Sequence, residues 1–102
     1  MGNQVMNQVE VLKGIVEEKY ESWIEKGSIF DGIAITAGEK EHIISIGTSI
    51  LQTKFEVGFK GGGFVQAVVG NDLSRAIGNA DSTNVKAIKF YVMLMYNVGN
   101  PF

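Results

Sequence analysis

Residues 42–60 read HIISIGTSILQTKFEVGFK, and the period assigned to them sets the fold class. In its second half Phe55, Val57 and Phe59 alternate strictly with Lys54, Glu56, Gly58 and Lys60. Successive side chains of an extended backbone point to opposite faces, so this alternation predicts a half-buried strand. Ile43, Ile44, Ile46 and Ile50 precede it. Further upstream, Ile29, Ile33 and Ile35 are β-branched and alternate in part with smaller residues, while Gly38-Glu39-Lys40-Glu41 reads as a polar turn. Together these segments predict three strands, near 31–37, 42–50 and 53–60. Their connections are too short for crossovers, which makes the expected sheet an antiparallel meander.

Before this region, Val5, Val9, Leu12, Val16, Tyr20 and Trp23 recur at spacings of four and three, the pattern of one amphipathic helix over 4–26. Met6, Ile15 and Ile24 widen the stripe. Asn3 is a candidate cap, and Asn7 with Glu10 resembles a capping box. Lys26-Gly27 gives a fitting end. Gly14, inside the helix, is either tolerated or marks a close contact.

After it, Phe64, Val65, Val68, Val69, Leu73, Ala76 and Ile77 fit one helix ending at Gly78-Asn79. The rival reading makes 64–69 a fourth strand, with Asn71 or Asp72 capping a shorter helix. Asp81 or Ser82 then caps a last helix over about 83–97, apolar on nearly every side. The order helix, three strands, two helices predicts an α+β single domain over 1–102, with the helices on one face of the sheet.

The 102 residues allow one core. Hydrophobic residues make up 45% and charged residues 20%, as in ordinary globular domains. Cysteine is absent, which removes disulfides, thiolate catalysis and Cys-based zinc sites. The longest apolar run, Phe90 to Tyr96, falls far short of the roughly 20 residues of a membrane span, and the N-terminus lacks the pattern of a signal peptide. A cytoplasmic, non-membrane protein is expected. Residues 1–41 carry eight acids against four lysines, and residues 42–102 three acids against four lysines and one arginine. Opposite signs in the two parts suit self-association. With Arg75 the only arginine, direct nucleic-acid binding is not expected.

Two constellations remain. The first is Gly58-Phe59-Lys60-Gly61-Gly62-Gly63-Phe64, placed between a predicted strand and a predicted helix start, where free backbone N–H groups bind anions. It matches neither the P-loop nor the dinucleotide pattern. A ligand site here would use Lys60, Gly61, Gly62 and Gly63, with Arg75 or His42 in support; otherwise the glycines form a plain turn. His42 is the single histidine, and the nucleophile-elbow pattern is absent, so neither a metal site nor a Ser-His-acid triad with Ser45, Ser49 or Asp31 is indicated. The second constellation is Trp23, Phe90, Tyr91, Met93, Met95 and Tyr96, residue types enriched at interfaces but at helical spacing more often simply core; the lack of a polar side on the last helix is what argues for an interface.

In size and composition the chain resembles small accessory proteins encoded by phages and mobile elements, inhibitors of bacterial immunity among them; no motif carries that resemblance. The expected function is therefore non-enzymatic protein binding by a self-associating protein, as a dimer, without cofactor, with inhibition of a host protein as one role. The alternative is a small-ligand or nucleotide-sequestering protein using loop 58–63.

Overall fold

The computed structural model describes residues 2–27, 29–30 and 33–102, with side chains from residue 6 onward. The chain runs α1 (Gly2–Tyr20), a π-helical turn (Glu21–Glu25), α2 (Ala37–Phe55), α3 (Gly63–Val69), α4 (Leu73–Asn79), α5 (Ser82–Lys86) and α6 (Ile88–Asn97). Among the described residues there is no strand. The α+β expectation, with its three-stranded meander, is therefore overturned. Asp31 and Gly32, at the start of the first expected strand, lie outside the described residues. Ile33 to Thr36 form an irregular lead into α2.

The polar turn expected at 38–41 is instead the first turn of α2. Thr36 caps it in a reciprocal box: Glu39 N–H donates to Thr36 Oγ1 and Thr36 N–H donates to Glu39 Oε1, both at 3.1 Å. Two of the helix's orphan donors are thereby satisfied. The buried positions of α2 are Ile43, Ile44, Gly47, Thr48, Ile50 and Leu51. Their spacing is helical, but two of the six are a glycine and a threonine, so a count of isoleucines alone misses the period. The alternation of Phe55, Val57 and Phe59 also has another origin. Phe55 is the last residue of α2, Val57 is buried beyond the helix end, and Phe59 is 91% exposed at the tip of the following loop. Glu56 takes the left-handed conformation at φ 56° to end α2, and Gly58 follows at φ 68°, where glycine alone is unstrained.

Helix α2 is the hub, touching α1, α3, α5 and α6. Leu12, Val16 and Tyr20 of α1 pack on one side of it, with Phe64, Val65 and Val68 of α3 and Phe90, Tyr91 and Leu94 of α6 completing the core. Gly47 explains how α2 sits so close to its neighbours. A Cβ there would stand 2.8 Å from Val16 Cγ1 and 3.0 Å from Leu94 Cδ1, so only a hydrogen fits between α1 and α6. At Gly14 a Cβ would meet nothing within 4 Å, so that glycine is simply tolerated.

From Val9 to Tyr20 the stripe on α1 holds, although Met6, read as widening it, is exposed; the side chain of Val5 lies outside the described residues, and Trp23 falls in the π-helical turn. The helix already runs from Gly2, so neither Asn3 nor Asn7 caps it. The expected single helix over 64–78 is broken. Gly70 ends α3, Asn71 turns back with φ 58°, and the Asp72 carboxylate accepts the Arg75 N–H at 3.1 Å to start α4. Residues 64–69 are helical, so the rival strand is excluded, while its cap at Asp72 is present. The last helix also divides, at Ala87, with Asp81 capping α5 through the Asn84 N–H at 2.7 Å.

Candidate interaction surface

Helix α6 carries most of the residues expected at an interface, and the fold divides them. Phe90 and Tyr91 lie wholly in the core. Phe90 meets the edges of Tyr20 and Trp23 at centroid distances of 5.8 and 5.9 Å, and Tyr91 meets Phe64 at 5.6 Å. Such edge-to-face pairs add about 0.5–1.5 kcal/mol beyond the area they bury. The Tyr91 hydroxyl donates to buried Asn84 Oδ1 at 2.7 Å, and burial pushes the phenol well above its ordinary range, so it stays a donor. Trp23 is half-buried beside Phe90, with the Lys19 ammonium 5.5 Å from its ring centroid. Met93 and Met95 are half-buried. Tyr96 is 77% exposed.

The outward side of α6 is a narrow stripe of Lys89, Val92 and Tyr96, continued toward α5 by Val85. Two shallow cavities flank it where α3 and the α3–α4 turn face α6. One, of about 50 Å³, is bordered by Leu73, Ile88 and Val92. The other, of about 260 Å³, is bordered by Val68, Val69, Asn71, Val92, Met95 and Tyr96 and has no charged residue in its wall. Leu73, on the far rim, is 69% exposed. None of this face except Tyr96 and Met95 stood out in the sequence. Leu73 fits the expected helix ending at Gly78-Asn79, and Val92 the apolar run Phe90 to Tyr96, but helical spacing does not say which side of a short helix is covered.

A larger concavity lies elsewhere, a groove of about 710 Å³ between α1 and α2. Lys13, Glu17, Lys40 and Glu41 line it together with Val9, Ile44 and Thr48. Lys40 is already engaged, 2.6 Å from Glu25 and 5.2 Å from the centre of the Tyr20 ring.

The glycine-rich loop is tied down locally. Gly61 N–H donates to Thr53 Oγ1 at 2.9 Å, and the Gln66 amide donates to Gly61 O at 2.7 Å. A Cβ on Gly61 would lie 2.6 Å from Val65 Cβ and 2.7 Å from Ser49 Oγ, so glycine is there for close packing. Gly62 precedes α3, and no side chain caps that helix. Lys60 borders a pocket of about 190 Å³ together with Gly58 and Glu56, so an anion there would meet a carboxylate as well as an ammonium. His42 is not part of this loop's surroundings. Its Nε2 lies 3.0 Å from Asp81 Oδ2, joining the start of α2 to the cap of α5. Arg75 stands exposed on α4, where its carbonyl accepts from the Asn79 amide. The structure thus does not bring Lys60, His42 and Arg75 together in one site.

Beside His42, Glu39 accepts from Lys86 Nζ at 2.8 Å, and Lys86 also reaches Ala34 O at 3.3 Å. The Lys86 hydrogen bond, followed by the Thr36 N–H, draws the Glu39 carboxyl down from 4.5 to about 2. Lys54, read as the polar face of a strand, donates to Met95 O at 2.6 Å and Val98 O at 2.8 Å. It closes the C-terminus of α6, where a cation also suits the helix dipole. Among the described residues no group of three or more His, Cys, Asp or Glu converges as a metal site would require, and no helix is long and apolar enough to cross a membrane.

Comparison with protein-family models, with curated proteins and with solved structures finds no match, so these surfaces are read on their own chemistry.

Proposed function

We propose that the chain is a small non-enzymatic binding protein that self-associates and acts by surface complementarity on a protein partner. The observation that carries this reading is the outer face of α6, where Val92 and Tyr96 stand in solvent beside Leu73 and an uncharged cavity. Exposed apolar side chains are ordinary when scattered; gathered around concavities they favour a partner. Tyr96 alone offers about 150–250 Å² for burial, against the roughly 800 Å² that each side gives up in a standard interface. Inhibition of a host protein, the role that size and composition resemble, fits a surface of this kind.

Light scattering across a concentration series tests the first part of the proposal. The expected mass is above the 11.1 kDa of one chain at micromolar concentration. A monomer at every concentration would remove self-association. Thermal melting against a nucleotide panel tests the rival use of loop 58–63. A ligand at 100 times its Kd would add about 2.7 kcal/mol of stability. The expectation is no shift, since the Gly61 N–H is already bonded within the fold.

A further inference from the structure

We infer that the self-association is an isologous dimer in which α6 packs antiparallel against α6 of a second copy, crossing at Val92; this rests on the binding reading above. In a two-fold interface each residue i that meets residue j is matched by j meeting i, so the surface must complement its own reversed image. The α6 stripe does so. Val92 lies three residues after Lys89 and four before Tyr96, and all three side chains are exposed. Reversed about Val92, the stripe sets Lys89 of each copy over Tyr96 of the other and Val92 against Val92. An ammonium over an aromatic face is attractive, and more so when water is excluded. The two Lys89 ammonium groups stay apart, because Lys89 and Tyr96 are separated by about 10 Å along the helix. Lys89 forms no ion pair among the described residues, so its charge is open to such a partner.

The flanks agree with this arrangement. The cavity beside Val92 and Tyr96 is walled by Val68, Val69 and Met95 without a charge, and the smaller cavity on the other flank carries one charge in its wall, Asp72. By contrast, the larger groove between α1 and α2 carries Lys13, Glu17, Lys40 and Glu41, a poorer floor for an apolar helix face. The occupant of the α6 face is therefore assigned to a second α6, and a different protein partner is left as an outcome of the test.

The absence of native cysteine makes that test clean. Helices packed at about 8–10 Å between axes, each with a Cα radius of about 2.3 Å, bring facing Cα atoms to roughly 3.5–5.5 Å, a range whose upper half matches a disulfide. Val92→Cys in the full chain is expected to give a cross-linked dimer on mild oxidation, whereas Met6→Cys on exposed α1 is not. Tyr96→Ala and Lys89→Glu are each expected to weaken the dimer at least tenfold in sedimentation. Circular dichroism should stay unchanged, and so should melting at concentrations where wild type and variants are all monomeric, because both residues lie outside the core. If the wild type is dimeric but Val92→Cys fails to cross-link and Tyr96→Ala dissociates normally, the copies pair through another face; the assignment to α6 then falls while the binding reading stands. If the wild type is a monomer throughout, self-association and the α6 dimer fall together.

Discussion

Helices α1 and α2 are equally long at 19 residues, lie side by side and each contain one interior glycine, yet only α1 shows a plain hydrophobic period in the sequence. Helix α1 is covered on one side, so its buried apolar residues form a single stripe, and the rest of its surface is mostly polar, with Met6 and Val11 exposed among Glu10, Lys13, Glu17 and Glu18. Helix α2 is touched by α1, α3, α5 and α6, so its apolar positions spread round the cylinder and the simple period blurs. Hydrophobic periodicity thus reports how a helix is surrounded as much as whether it is one. The two glycines make the same point. Gly14 faces open space, whereas Gly47 faces Val16 and Leu94 with no room for a Cβ.

The largest effect that sharpens this contrast is expected where both helices meet α6. Phe90 lies against Tyr20 and Trp23 on one side, and a Cβ on Gly47 would stand 3.7 Å from its ring on the other. Phe90→Ala should cost about 3–5 kcal/mol, the range for emptying a large aromatic site in a core. In urea this would be a fall in midpoint at unchanged slope. A loss below about 1 kcal/mol would mean that α6 does not pack into the hub as described.

The same substitution at the two glycines is next. Gly47→Ala forces Val16 and Leu94 apart, an overpacking cost of about 1–3 kcal/mol, against about 1 kcal/mol gained in helix propensity. A net loss is expected, and Gly47→Val should deepen it. Gly14→Ala meets no neighbour and should gain up to about 1 kcal/mol. Opposite shifts in melting temperature would support the contrast; equal shifts would break it. Of similar or smaller size, Thr36→Ala removes the cap of α2 and should cost about 1 kcal/mol. No equivalent loss is expected from Asn7→Ala in α1, since that residue lies inside the helix.

These residues also mark what the sequence could and could not reveal. The α1 stripe, the helical character of 64–69 and the caps at Asp72 and Asp81 are legible because each is a local matter of period or turn chemistry. The nature of α2 was signalled too, by Thr36 and Glu39 in capping-box spacing and by the helical set 43, 44, 47, 48, 50 and 51. The alternation at 55–59 outweighed it, although only Val57 of those three apolar residues is buried while Phe59 lies in solvent. The division of the aromatic cluster was beyond the sequence. Phe90 and Tyr91 differ from Tyr96 only in which side of α6 they occupy, and long-range packing decides that side. The link between Lys54 and the end of α6 spans 41 residues to Met95 and 44 to Val98, a tertiary contact no local pattern encodes.

The smallest expected effect concerns the charged end of α2. In the fold the Glu39 carboxyl is held at about 2, against 4.5 as its ordinary value, first by Lys86 and then by the Thr36 N–H. A folded-state pKa below the unfolded one means that the ionised form binds its partners better in the native state. The contribution is therefore complete above about pH 4.5 and is lost as pH falls toward 2. Glu39→Gln should lower the melting temperature by a constant amount at neutral pH, and the gap to wild type should close between pH 4.5 and 2. Glu10→Gln on α1 is the matched control, at an exposed position with no described cap or ion pair. It should leave the melting temperature nearly unchanged across the same range. A gap for Glu39→Gln that stays constant down to pH 2 would mean that Lys86 does not hold this carboxylate, and that α2 is anchored at its start by Thr36 and by His42 on Asp81 alone.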